Sequence, residues 1–289
     1  MAMKWSSFAG HSLTTRDIVP SAPRQVYGID FSGAAQAGKK IWVAHGVIEG
    51  EALHIEDCYR GADLPGSSVG RDRCLAALRD FISKAGTSAF GLDFPFGLPG
   101  QLLKESRWED FILSFADRYT GPEAFRQECR DRAGGKELKR VTDTERRTPF
   151  SPYNLRLYRQ TYFGIGDVLA PLVRQEAACI LPMQPATPGR PWVLEICPAS
   201  TLKPAGLNSP YKGNRKEHYA ARACILAELE GRVPLSIPAS LRLTILDDCE
   251  GDALDSVVAT LAVFRAVRNP DGILAGSNKA YAIEGYVYV

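Results

Sequence analysis

The chain has 289 residues, of which 45% are hydrophobic and 24% are charged, and its formal net charge is +2. This composition is typical of a globular protein with a substantial core, and a charge so close to zero excludes an overall field that would attract nucleic acid. The seven cysteines are scattered and form no C-x-x-C pair, which argues against a disulfide framework and a cysteine zinc site and favours a reducing compartment.

Residues 1–24 contain no apolar stretch of the length found in signal peptides, so they are predicted to form an N-terminal extension. No later apolar run approaches the roughly 18 residues of a membrane-spanning helix. We therefore predict a cytoplasmic protein without a membrane partner, in which residues 25–289 form a single domain. The sequence leaves open whether this domain forms an oligomer.

Three strands are predicted near the start of the domain. The apolar run Val26–Phe31 carries Asp30 close to its end and is followed by a glycine-containing turn, which is typical of a buried strand. The runs Ile41–Ile48 and Ala52–Tyr59 flank a Glu-Gly-Glu turn and predict a hairpin. Together these strands predict an antiparallel meander.

An amphipathic helix over Arg71–Lys84 and a second buried strand over Ser88–Phe96 follow. Asp93 lies in this strand, just before Pro95. Asp30 and Asp93 therefore occupy equivalent positions, where an apolar strand gives way to a loop rich in proline and glycine. Ligands bind at such positions in open α/β sheets.

Residues 101–188 lose the strand pattern and are predicted to form a helical insert, with helices over Trp108–Tyr119 and Gly166–Ile180. Residues 126–159 hold ten Lys or Arg against five Asp or Glu, and aromatic residues follow closely. Interleaved cations and rings suit a phosphate-bearing or single-stranded substrate, although solvated helix faces also carry such charges. The candidate substrate-binding residues here are Lys139, Tyr158 and Arg159.

Two further elements carry acids within apolar sequence. The run Pro191–Cys197 predicts a strand with Glu195 at its centre, which could alternatively face solvent. After a helix predicted over Tyr211–Leu229, the segment Asp247–Phe264 predicts a buried helix.

Asp252 and Asp255 lie three residues apart in this last helix and therefore share one face. No Lys or Arg between Asp247 and Arg265 can neutralise them locally. A distant basic side chain, a shifted protonation state or a divalent cation must do so.

Three apolar strands and one buried helix each carry acids, which suggests that these acids converge on one cation. Oxygen ligands with few histidines favour Mg²⁺ or Mn²⁺, and the four histidines show no ligand spacing. The predicted metal ligands are Asp30, Asp93, Asp252 and Asp255, with Glu195 as a candidate fifth ligand or water-orienting base.

Four motifs in order, GIDFSGA (28–34), GLDFPFGLP (91–99), LEICPAS (194–200) and DDCEGDALDSVVATLA (247–262), resemble the uncharacterised family 429 of the domains of unknown function, within the ribonuclease H-like superfamily. The segment YRQTYFGIG (158–166) also resembles that family's insert. The resemblance implies an α/β fold with a five-stranded mixed sheet of order 3-2-1-4-5, flanked by helices, with the insert between strands 4 and 5. Asp252 and Asp255 are similar to the paired acids of Holliday-junction resolvases, which also place an acid on strand one, matching Asp30.

The leading hypothesis is therefore a metal-dependent nuclease or phosphodiesterase that uses Mg²⁺ or Mn²⁺ and acts on nucleic acid or another phosphate-bearing substrate. Two alternatives stay open. One is an ATP-binding phosphotransferase related to actin and the sugar kinases, because GIDFSGAAQAGKK resembles their first phosphate loop. The other is a non-catalytic module that binds nucleic acid or protein.

Overall fold

A computed structural model describes residues 22–207, 209–269 and 278–289. The predicted N-terminal extension lies outside the described residues, apart from residues 22–24. No helix in the described ranges is long and apolar enough to cross a membrane.

The molecule is built on a mixed β-sheet whose central strand is β1 (Gln25–Asp30). Strand β2 (Trp42–Glu49) runs antiparallel to β1, and β3 (Ala52–Arg60) runs antiparallel to β2. The predicted meander is therefore confirmed. On the other side of β1, the strand β4 (Ser88–Leu92) runs parallel to it.

In the described residues, the sheet differs from the predicted five-stranded order because it includes three further short strands, β5 (Cys179–Leu181), β7 (Leu235–Ser236) and β8 (Val287–Tyr288). With β6 (Trp192–Ile196), the order is β5-β6-β4-β1-β2-β3-β7, and β8 also pairs with β6. Runs of two or three residues are too short to carry a periodic signal, so the sequence did not reveal them. Strand β5 lies within residues 101–188, which were predicted to be helical.

Twelve α-helices occur in the described residues. They are α1 (Ala37–Lys40), α2 (Arg71–Lys84), α3 (Trp108–Arg118), α4 (Pro122–Arg132), α5 (Val141–Glu145), α6 (Tyr158–Phe163), α7 (Ala170–Arg174), α8 (Pro198–Leu202), α9 (Lys216–Arg232), α10 (Ala239–Asp247), α11 (Asp252–Arg268) and α12 (Tyr281–Glu284). A π-helical segment, Gly164–Leu169, joins α6 to α7.

Two predicted helices begin later in the structure than in the sequence analysis. Helix α9 begins at Lys216 rather than at Tyr211, because Gly213 adopts a φ of 141° that interrupts a helix. Helix α11 begins at Asp252, after Gly251 with a φ of 76° separates it from α10. Both breaks place polar residues in loops beside the end of the sheet.

Hydrophobic side chains cover both faces of the sheet. Val26 belongs to the core formed with α11, whereas Ile29 belongs to the core formed with α2 and the insert. Helix α11 packs very closely on β1, since a Cβ added to Gly28 would lie 2.2 Å from the carbonyl oxygen of Ser256. This close packing brings the first turn of α11 next to the end of β1.

Candidate active site

A cavity of about 380 Å³ lies where β1, β4 and β6 end and α11 begins. Its lining includes all five acids singled out from the sequence, Asp30, Asp93, Glu195, Asp252 and Asp255. The fold therefore brings together acids that lie up to 225 residues apart in the chain, the separation of residues 30 and 255. Their surroundings divide them into two groups. The first contains the four aspartates, and the second contains Glu195, which pairs with an arginine.

Asp30 and Asp93 lie side by side at the ends of neighbouring parallel strands. Asp30 is the last residue of β1, and the backbone N–H of Asp93 donates to the carbonyl oxygen of Ile29 at 3.1 Å. Only 8% of Asp30 is exposed. Within the described part of the chain, the Asp30 carboxylate has no hydrogen bond or ion pair, although it lines the cavity.

The two acids of α11 contact a lysine and a tyrosine from the loop before α9. The Lys212 ammonium lies 2.9 Å from Asp252 Oδ1 and 2.7 Å from Asp255 Oδ2. The Tyr211 hydroxyl donates to Asp255 Oδ1 at 2.5 Å. One ammonium group thus faces a cluster that contains four carboxyl groups.

The protonation of these acids reflects this imbalance. Burial, together with the nearby Asp255 and Asp252, raises the pKa of Asp30 well above its usual value. Burial and Asp255 raise the pKa of Asp93 to about 8, even though Lys212 acts in the opposite direction. Both acids therefore keep their protons to a higher pH than exposed carboxyl groups do, and a cation bound among them would favour their ionised forms.

Glu195 belongs to the second group because an arginine already neutralises it. The Arg140 guanidinium donates to both Glu195 carboxylate oxygens and to both oxygens of Asp143, and all three residues are at most 2% exposed. The backbone N–H of Phe96 also donates to Glu195 at 2.9 Å. The alternative that Glu195 faces solvent is wrong, and its bonding leaves it poorly suited to bind a metal ion.

The three predicted substrate-binding residues do not line the cavity. The Lys139 ammonium donates to the carbonyl oxygen of Thr148 at 2.5 Å. Arg159 forms an ion pair with Glu123 and donates to the Tyr158 hydroxyl at 2.9 Å. Lys139 and Arg159 therefore already have partners within the protein.

Other polar residues that the sequence analysis did not single out line the cavity instead. They include Lys40, Arg140, Arg156, Gln160, Tyr211 and Lys212. Arg156 and Gln160 lie close to Arg159 in the sequence. The predicted substrate-binding segment therefore does line the cavity, but through residues other than those predicted. Arg156 lies over the ring of Phe150, with 5.5 Å from Cζ to the ring centroid. Lys212 was expected within a helix, whereas the structure places it in the loop before α9.

The carboxylate oxygens of the four aspartates are the kind of ligand that Mg²⁺ and Mn²⁺ prefer, so the chemistry of the site fits the predicted cation. In residues 22–207, 209–269 and 278–289, however, no three His, Cys, Asp or Glu side chains are already arranged to hold a metal ion. The Lys212 ammonium occupies oxygens of two of the four acids. Because its side chain is 49% exposed, it can move away without rearrangement of the core.

Comparisons of the chain with known protein families, with curated proteins and with solved structures find no match.

Proposed function

We propose that this protein is a metal-dependent hydrolase that cleaves phosphodiester bonds in nucleic acid. The observation that carries the proposal is the Asp30 carboxylate, which is nine-tenths buried, lines a cavity and lacks a hydrogen-bond or ion-pair partner among the described residues. A buried carboxyl group without a partner is costly in either protonation state unless it acts on a ligand. Perturbed carboxyl groups that converge in a cleft are typical of functional sites.

The fold supports the same assignment. Strands β3, β2, β1, β4 and β6 are consecutive neighbours, with β1 to β3 antiparallel and with β4 and β6 parallel to β1. This part of the sheet, with an acid at the end of β1 and two acids at the start of α11, supports a ribonuclease H-like interpretation, although the full strand order differs from the predicted one. Fold alone does not determine chemistry, so the proposal depends on the acids.

Asp30, Asp93, Asp252 and Asp255 would hold one or two Mg²⁺ or Mn²⁺ ions. When bound, such ions supply stabilisation of negative charge on the phosphodiester and a more acidic water. Asp30 is the last residue of β1 and Asp93 follows the last residue of β4, so the central strands position one side of the site. Asp252 and Asp255 lie on a helix whose packing against β1 fixes the other side.

The opposite wall of the cavity supplies groups for the substrate. Arg156 is exposed at this wall, and no ion pair to its guanidinium occurs among the residues that the structure describes. The Gln160 amide donates to the carbonyl oxygen of Phe31 at 2.5 Å, which fixes its orientation beside the acids. Arg156 would bind phosphate and the adjoining Phe150 ring would contact a base. The volume of about 380 Å³ suits a nucleotide-sized group rather than a duplex.

The proposal is tested with purified protein, metal-free buffer and single-stranded DNA and RNA oligonucleotides. Cleavage should require added Mg²⁺ or Mn²⁺ and should fall to background in Asp30→Asn and Asp255→Asn. The control Asp80→Asn removes an exposed carboxylate on α2, outside the cavity, and should keep full activity.

Equal cleavage by both cavity variants and the unaltered protein would reveal a contaminating nuclease and refute the proposal. Oligonucleotide binding that persists in Asp30→Asn, without cleavage by the unaltered protein, would instead support a non-catalytic binding module.

A further inference from the structure

Lys212 occupies the position at which the cation of the proposed function would bind. Its ammonium contacts one oxygen of Asp252 at 2.9 Å and one oxygen of Asp255 at 2.7 Å. A metal ion bound to these oxygens would lie close to the ammonium, and the two positive charges would repel each other. Binding of one therefore disfavours the other.

The backbone on both sides of Lys212 is held firmly. Arg222, which is 2% exposed, donates to the carbonyl oxygens of Tyr211 at 2.7 Å and Gly213 at 3.1 Å. The backbone N–H of Gly213 donates to the carbonyl oxygen of Cys249 at 2.6 Å. The backbone of the loop is thus fixed in place while the side chains of Tyr211 and Lys212 reach the acids.

The side chain itself can leave. It is 49% exposed, and lysine has a long flexible stem that carries a strongly hydrated charge. Departure of the ammonium into water therefore requires no movement of the loop. In addition, the Tyr211 hydroxyl continues to hold the other Asp255 oxygen in place.

We propose that Lys212 is a tethered cation that neutralises Asp252 and Asp255 in the metal-free protein and competes with Mg²⁺ or Mn²⁺ for them. This inference rests on the proposed function. Lys212 prevents the acids from repelling one another before the metal ion arrives, and it makes metal binding weaker than the carboxylates alone would allow. The released ammonium is then free to contact the phosphate of a bound substrate.

The test measures Mn²⁺ affinity by calorimetry for the unaltered protein, Lys212→Met, Lys212→Arg and a control, Lys84→Met. Lys84 is matched because it also pairs with an acid, Asp80, but lies on α2 outside the cavity. Lys212→Met should bind Mn²⁺ at least about tenfold more tightly than the unaltered protein, since one competing charge is removed. Lys212→Arg and Lys84→Met should bind with nearly unchanged affinity.

A second measurement uses the unaltered protein and does not depend on the folding of a variant. Acetylation of Lys212 by acetic anhydride, followed by mass spectrometry of the peptide, should increase when Mn²⁺ is added, whereas acetylation of Lys84 should not. Unchanged or weaker Mn²⁺ binding by Lys212→Met, or Lys212 acetylation that Mn²⁺ does not increase, would overturn the competition while leaving the proposed function intact. Absence of Mn²⁺ binding in both the unaltered protein and Lys212→Met would overturn the proposed function as well.

Discussion

Replacement of Asp93 by Asn should stabilise the fold at pH 8 in buffer without metal ions. Burial and the nearby Asp255 raise the pKa of Asp93 from its ordinary 3.8 to about 8. Between these two pH values the folded protein keeps a proton that the unfolded chain releases. The contribution of Asp93 to stability is therefore fully present below about pH 4 and is lost as the pH rises through about 8.

The size of the effect follows from the width of this interval. Each pH unit within it changes the free energy of unfolding by about 1.4 kcal/mol, so the upper limit for the loss at pH 8 is about 6 kcal/mol. Water that enters the cavity and movement of Lys212 towards Asp93 reduce the loss. We expect Asp93→Asn to gain about 1 to 3 kcal/mol at pH 8, and less at pH 5.

Urea unfolding followed by circular dichroism, with a chelator present, measures this gain at pH 5 and at pH 8. The control Asp80→Asn should show the same small change at both pH values because its carboxylate is exposed. A loss of stability in Asp93→Asn at pH 8, or a gain of equal size at both pH values, would show that folding does not raise the pKa of Asp93. The interpretation of the cavity as a site that disfavours ionised carboxyl groups in the absence of a metal ion would then be wrong.

Three further predictions concern the groups that hold the site together and the metal requirement. Arg140→Met should lower the free energy of unfolding by about 3 to 5 kcal/mol in urea titrations, because Glu195 and Asp143 are left buried without their partner; a loss below 1 kcal/mol would contradict this. Gly28→Ala should lower the free energy of unfolding by about 3 kcal/mol or more, since its Cβ would lie 2.2 Å from the Ser256 carbonyl oxygen, and an unchanged thermal midpoint would show that α11 can move away freely. A chelator should abolish oligonucleotide cleavage and added Mn²⁺ should restore it; cleavage that persists in the chelator would refute the metal requirement.

The sequence revealed the acidic side of the site because each acid interrupts an apolar segment. Asp30 and Asp93 follow strands whose positions are clear from their apolar runs, and Asp252 and Asp255 share a helix face by spacing alone. Those signals are local. Convergence of the four residues then followed from the rule that ligands bind where parallel strands end.

The partners of the acids depend on contacts that no local pattern carries. Arg140 precedes Glu195 by 55 residues and comes from the insert, so its pairing could not be read from spacing. Lys212 lies in a loop because Gly213 interrupts the predicted helix. Arg159 resembled an anion contact by composition, but its ion pair with Glu123 depends on how α4 and α6 pack.

Because α11 packs so closely on β1, the side of the cavity that these two elements form tolerates substitution less well than the side formed by the insert. Gly28 lets the helix pack so closely on the strand that any larger residue at this position would displace the helix and the acids that it carries. The facing wall, residues 148–160, is built from an insert that this contact does not constrain. Anyone who wishes to alter what the cavity admits should therefore redesign that wall and leave the strand and helix as they are.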